Sequence, residues 1–412
     1  MQVEFWEWFY RHTFAEYAAV NNLPEEDICV KLTVEAKLSL KEGSDGIAVE
    51  AFAAQTKSMK RVLCPLGGGK DSLVACALLA AQLSNVSDKK ERVSEDFCTE
   101  NPTMETIDND AATLNSLSWL YVADVVEGVD LFRDGWRLPG LVQASGLQCL
   151  HLSHDFGYRN LESCRRSNTP CGHPWAALIC FDALLVSLLL GFDHVAVGNE
   201  RSANFGNGVW VGSHEVNHQF DKSFAFESKA HAYIKAFFED SGMANGTESS
   251  DKASLNSSAV SEGIQTPAFK TGVHYFSALQ PLWEVQIAWL FARGLSRGGV
   301  LYDALRNLRV DHARRELGVA AEPVDIAGTE EEQGDISAGH PFIAAFISCN
   351  ESDEEGNWCA RCDKCCFVFA LLAAWLPPEE VARRVFKGCV CVLTNCSSMA
   401  SKMNAWTTNL LT

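Results

Sequence analysis

The stretch RVLCPLGGGKDSLVACALLAA constrains this chain more than any other. Val62 to Leu66 is a short apolar run that reads as a buried strand. Gly67, Gly68 and Gly69 follow at once, and Leu73 to Leu83 reads as a helix. Strand, glycine turn and helix in that order build an anion site. Glycines let the backbone come close to oxyanions, and the amides at a helix start point toward negative charge. Lys70 adds a cation, Ser72 a hydroxyl, and Asp71 a carboxylate suited to a metal ion. The bland alternative is a glycine turn before a core helix. The spacing differs from the common nucleotide loop, where Gly-Lys is followed directly by Ser or Thr. Here Asp71 separates Lys70 from Ser72.

The string instead resembles the SGGxDS loop of the ATP pyrophosphatase (PP-loop) superfamily. That resemblance implies cleavage of ATP between its α- and β-phosphates and adenylation of a substrate oxygen. Gly67 stands where that pattern has its first Ser, which removes one phosphate hydroxyl.

At 412 residues the chain has room for two or three domain-sized units. Residues 1–58 read as a small α+β piece, with alternation from Val30 to Leu40. Residues 59–318 read as the nucleotide-binding body and 319–412 as an acidic loop, a cysteine knuckle and helices. Within the body, strands are expected at Val62–Leu66, Trp119–Ala123, Gln148–Ser153 and His194–Gly198. They alternate with helices at Asp71–Leu83, Pro174–Leu190 and Phe226–Glu239, which predicts a doubly wound, mostly parallel α/β sheet. Ligands of such sheets bind outside the carboxyl ends of the strands, where the glycine loop falls. The aperiodic segments 85–116, 242–271 and 319–339 read as surface inserts.

A net charge of −19 argues against sequence-independent nucleic-acid binding, which needs clustered Lys and Arg. No apolar run is long enough to span a bilayer, since Trp175 to Gly191 contains Asp182. The start, MQVEFWEWFYRH, lacks the pattern of a signal peptide, so a cytoplasmic location is expected. Sixteen cysteines in that setting suggest reduced thiols and a metal site.

Cys349, Cys359, Cys362 and Cys365 supply that site in a C-x9-C-x2-C-x2-C pattern. Four thiolates at these spacings can enclose Zn²⁺ tetrahedrally, and a closed ligand set is structural rather than catalytic. An iron–sulfur cluster and a redox Cys359–Cys362 pair are the competing readings.

A third constellation lies between Val197 and Glu227. Asn199, Glu200, Arg201, Ser202 and Asn204 follow a buried strand directly, a density of polar groups expected at a site. Arg201 has the fork geometry for a carboxylate or phosphate, and Glu200 can hold metal or accept a proton. His214 and His218 come next; a hydrated loop is the alternative. Cys171 and His173 precede a helix N-terminus, where a plain capping turn is the alternative. Tyr275 to Glu284 reads as a strand running into a helix, with Glu284 a first-turn carboxylate.

Taken together, GGGKDS, GHP, GNERSAN, VNHQFDKS, the YFS…PLWE string and SCN…WCARCDKCCFVFAL resemble the UDP-N-acetyl-α-D-muramoyl-L-alanyl-L-glutamate epimerase family of peptidoglycan synthesis. The likeness spans roughly residues 60 to 376. It implies ATP- and Mg²⁺-driven inversion of the terminal L-Glu of UDP-MurNAc-L-Ala-L-Glu through an adenylated carboxylate. On that footing Gly67, Gly68, Gly69 and Ser72 cradle pyrophosphate, Asp71 meets Mg²⁺, and Lys70 neutralises the leaving group. Asn199, Glu200, Arg201, Ser202 and Asn204 serve substrate and adenylate. The acid and base stay open among His173, His218, Cys171 and Glu200. The competing functions are a 7-cyano-7-deazaguanine synthase-like ligase, a tRNA-thiolating enzyme and a non-enzymatic nucleotide-binding protein.

Overall fold

The computed structural model describes residues 2–32, 61–95, 117–124, 137–154, 174–206, 208–240, 273–307, 340–349 and 357–388. Cys171, His173, the segments 242–271 and 319–339 and most of the expected N-terminal alternation lie outside them. In chain order the elements are α1 (Gln2–Thr13), α2 (Ala15–Val20), β1 (Val62–Pro65), α3 (Lys70–Glu95), β2 (Leu117–Asp124), α4 (Arg137–Ser145), β3 (Cys149–His154), α5 (Trp175–Leu190), β4 (His194–Glu200), β5 (Val209–Val211), β6 (His214–Val216), α6 (Phe224–Asp240), β7 (His274–Leu279), α7 (Glu284–Trp289), α8 (Asp363–Ala373) and α9 (Pro378–Arg384). They fall into two compact units, the first from 1–60, 163–195 and 203–276, the second from 61–162, 196–202 and 277–412.

The second unit is built on a five-stranded sheet in the order β3-β2-β1-β4-β7. The first residues of β4 and β7 are counted with the first unit. β2 runs parallel to both β1 and β3, with Val62 opposite Leu117 and Trp119 opposite Cys149. The chain leaves β1 toward one edge and returns to its other side at β4. That reversal is the switch point at which open α/β sheets place their ligands. Central strand β1 reads as a continuous apolar run, as expected where both faces are covered. Leu63, Leu117, Trp119 and Leu120 are all essentially buried.

Helix α3 begins at Lys70 and buries Leu73, Val74, Ala75, Cys76, Ala77 and Ala80. It passes the expected end at Leu83 and runs to Glu95. The segment SNVSDKKERVSE is polar but contains neither Gly nor Pro, so a nucleated helix propagates through it without an apolar face. Small side chains on α3 and a glycine on β4 bring helix and sheet together. A Cβ on Gly198 would stand 2.8 Å from the carbonyl carbon and oxygen of Asp71 and 2.9 Å from Ser72 N.

In the first unit, α1 turns an aromatic face on α5 and α6. Phe5 stacks on Tyr233 at 4.3 Å between centroids, and Trp6 lies 5.4 Å from Phe181. The β5–β6 hairpin packs on α2, where Ala15, Ala18, Val211 and Val216 form a small core with Ile28. Gly191 closes α5 at a φ of 73°, a left-handed cap that needs no Cβ.

The contact at Gly198 generates a prediction. Gly198→Ala should destabilise the protein by about 1–3 kcal/mol, since the contacted atoms are backbone and cannot rotate away. An unchanged denaturant midpoint would show that β4 and α3 do not approach so closely.

Candidate active site and metal centre

The glycine loop joins β1 to α3 at the switch point. Gly68 takes a φ of 77°, which the missing Cβ permits. Its carbonyl accepts a hydrogen bond from Ile347 N at 2.9 Å. The Ser72 hydroxyl donates to Gly69 O at 3.1 Å, so the hydroxyl faces the loop.

Lys70 is buried, at 4% exposure. Its ammonium donates to Asp71 Oδ1 at 2.6 Å and to Glu284 Oε2 at 2.5 Å. Burial alone pulls the ammonium toward neutrality; Asp71 and Glu284 more than reverse this and hold it above the ordinary lysine range. Glu284 is a first-turn residue of α7, as the sequence suggests, but it also crosses to the loop. The Gln286 side chain fixes that turn by accepting from Trp283 N at 2.8 Å.

The same place collects much of the third constellation. β4 continues past Gly198 through Asn199 and Glu200, both buried. Asn199 Nδ2 donates to Ser277 Oγ at 3.2 Å, and the Ser202 hydroxyl donates to Glu200 Oε1 at 3.1 Å. Arg201 N donates to Leu282 O at 2.9 Å, and its guanidinium lies 5.3 Å over the Trp283 ring. The GNERSAN and YFS…PLWE strings thus meet beside the start of α3. Asn204 and His218 belong to the first unit. Asn204 Oδ1 accepts from Phe224 N at 2.7 Å, at the start of α6.

His218 lines a cavity of about 190 Å³ in that unit, with Glu16, Trp175, Asp221 and Lys222 among its walls. Asp221 caps α5, accepting from Ala176 N at 2.8 Å and Ala177 N at 3.1 Å. Burial raises its carboxyl despite these amides and Lys222. Burial and the nearby Asp221 raise Glu16 as well. Neither carboxylate stood out in the sequence, because 204 residues of chain lie between them.

The four cysteines come together in the second unit. Cys349 Sγ lies 3.9 Å from Cys362 Sγ and 3.5 Å from Cys365 Sγ. Cys365 Sγ is 3.5 Å from Cys362 Sγ and 3.7 Å from Cys359 Sγ. A tetrahedron of thiolates at zinc-sulfur bond length has edges of about 3.8 Å. Two backbone amides turn in on the cluster: Cys359 N donates to Cys349 Sγ and Cys362 N to Cys359 Sγ, both at 3.4 Å. Burial pushes the Cys359 thiol up, but amides of Arg361 and Cys362 and the adjacent thiols outweigh it and bring it to about 7. Among the described residues this is the one group of three or more cysteine, histidine or carboxylate atoms close enough to share an ion. No helix of those residues is long and apolar enough to cross a membrane.

These features define an α/β protein with a glycine loop at its switch point and four clustered cysteines that could hold a metal ion. The family model of the MurL N-terminal domain matches residues 1–92 and 140–242. The chain is 22% identical over 379 residues to a UDP-N-acetyl-alpha-D-muramoyl-L-alanyl-L-glutamate epimerase of Xanthomonas oryzae pv. oryzae, covering 90% of this chain and 55% of that protein. It is 29% identical over 218 residues to the same-named protein of Salinispora tropica, covering 53% of this chain and 32% of that one. It is also 27% identical over 222 residues to that of a Micromonospora strain, covering 53% and 32%. The chain is thus similar to proteins of this epimerase family, and it spans about half or less of the length of these relatives. No solved structure matches it.

Two outcomes are expected. Glu284→Gln should cost about 1–3 kcal/mol, since it removes one charged partner of a buried ammonium; an unshifted unfolding midpoint would speak against the pair. The purified chain should hold about one zinc ion, and Cys362→Ser should lose it with a fall in Tm, because metal binding energy is folding energy here. Elemental analysis that finds iron, or no metal, would refute this assignment.

Proposed function

We propose that the chain uses ATP to invert the terminal L-Glu of UDP-MurNAc-L-Ala-L-Glu, releasing AMP and pyrophosphate, in peptidoglycan precursor synthesis. The observation that carries the reading is the convergence of Lys70, Asp71 and Glu284 at the glycine loop, in a chain whose curated relatives are named for that epimerisation.

Inversion needs the α-proton to leave, and a free carboxylate makes that hard because the carbanion would form beside an anion. Attack of a substrate carboxylate oxygen on the α-phosphorus of ATP expels pyrophosphate and leaves an acyl-adenylate. Its carbonyl accepts the carbanion's charge. Removal of the α-proton, return of a proton on the opposite face and hydrolysis then give D-Glu and AMP.

In this scheme Gly67, Gly68, Gly69 and the Ser72 hydroxyl receive the phosphates, and Lys70 balances charge on the departing pyrophosphate. Lys70 is already held by two carboxylates, so a phosphate must compete with them. Asp71, with Glu284 beside it, would hold a Mg²⁺, which supplies charge neutralisation and removes that competition. Arg201 faces the substrate carboxylate, with Asn199 and Ser202 ordering the adjoining strand end. The proton carriers are proposed to lie among Glu200, Cys171, His173 and His218. The four-thiolate site is assigned to structural zinc.

The deciding experiment incubates the protein with ATP and UDP-MurNAc-L-Ala-L-Glu in D₂O. Deuterium should enter the glutamate α-carbon, and only when ATP is present. Arg201→Ala should reduce AMP release and exchange together, whereas loss of a proton carrier should stop exchange while AMP still forms. ATP cleavage without α-deuterium would reject epimerisation in favour of a ligase. Absence of ATP cleavage would reject the adenylation scheme.

A further inference from the structure

The segment that leads into the cysteine cluster lies along the glycine loop. Ile347 N donates to Gly68 O at 2.9 Å, and a Cβ on Gly69 would stand 3.8 Å from both Ile347 O and Ser348 Oγ. The segment is held from both sides. Upstream, Arg137, itself 5% exposed, donates from Nη1 to Ala344 O at 2.8 Å and Phe346 O at 3.3 Å. Trp358 Nε1 reaches the same Phe346 carbonyl at 3.3 Å. Downstream, Ser348 is bonded to Cys349, a member of the thiolate cluster.

Ser348 is half-buried, and its hydroxyl has no hydrogen-bond partner among the described residues. It sits on a fixed backbone at the wall of an oxyanion loop. The loop itself is short of one group: position 67 is a glycine with no atom within 4 Å of where its Cβ would stand. Among the described residues, the donors beside the loop include its own amides, Lys70, Ser72 and Ser348.

We infer that Ser348 is a phosphate-binding residue, its hydroxyl donated to the anion in the glycine loop and aimed there by the cysteine cluster that follows it. This inference rests on the reading of the loop as an ATP site, and deepens it. It gives the cluster a second consequence besides stability, since the ligand Cys349 sets where the neighbouring hydroxyl stands.

The test is calorimetric titration of the full chain with ATP and, separately, with inorganic pyrophosphate, with zinc content measured on each protein. Ser348→Ala should weaken both ligands about ten-fold, the loss expected for one hydrogen bond to a charged group, with zinc retained. Ser348→Thr, which keeps the hydroxyl, should bind as the wild type does. An Ala variant with wild-type affinity, a Thr variant as weak as Ala, or a loss of affinity accompanied by loss of zinc would each overturn the inference. If the wild-type chain takes up neither ligand, the phosphate reading of the loop falls first; if it binds and Ser348→Ala makes no difference, only the role of Ser348 falls.

Discussion

A lysine ammonium buried between two carboxylates organises the second unit. Taking an ammonium out of water costs several kcal/mol unless partners repay it. Lys70 finds two, Asp71 and Glu284, within 2.6 Å. Asp71 is its chain neighbour and comes at no topological cost. Glu284 lies 214 residues away, so β7 and the turn into α7 must deliver the first turn of α7 to the glycine loop. The glycine at position 198 serves the same end, because β4 can run beside the first turn of α3 only without a side chain there. The loop, the end of β4 and the start of α7 are therefore mutually dependent.

The loop is held from the far side as well. Arg137 ties the carbonyls of Ala344 and Phe346, and Ile347 bonds to Gly68, just before the cysteines close. Phe291, Phe342 and Phe346 fill the space beneath, with Phe291 and Phe346 rings 4.7 Å apart. A metal held by these cysteines would do more than staple a C-terminal segment, because the stretch that leads into them also bonds to the glycine loop.

Much of this was legible from local pattern. The strand-glycine-helix order at 62–83 needs only apolar runs and glycines, and the cysteine spacing needs only counting. β4 and α5 were found within a residue or two because their apolar runs end at polar clusters. What escaped was set by long-range geometry. Glu284 reads as an ordinary first-turn carboxylate until the fold places Lys70 beside it. The cavity that brings Glu16 near Asp221 joins two segments that share no motif. The polar stretch after Leu83 hid a helix because its continuation depends on the helix already formed upstream rather than on an apolar face.

The charge at the loop has a consequence for what it can accept. Lys70, Asp71 and Glu284 carry a net negative charge at neutral pH, in a chain whose formal charge is −19. Screening confines such repulsion to about 8–10 Å at physiological salt, so the groups within that distance decide whether a polyanion stays. On the proposed reading, the positive potential must come from the amides of the first turn of α3, from Lys70 and from a divalent ion that meets the two carboxylates. Without that ion, a phosphate that drew Lys70 away would leave Asp71 and Glu284 facing each other and the ligand. With it, the carboxylates acquire a cation of their own and the ammonium can turn to the pyrophosphate. On that reading, nucleotide binding depends on the metal through charge balance at one buried lysine.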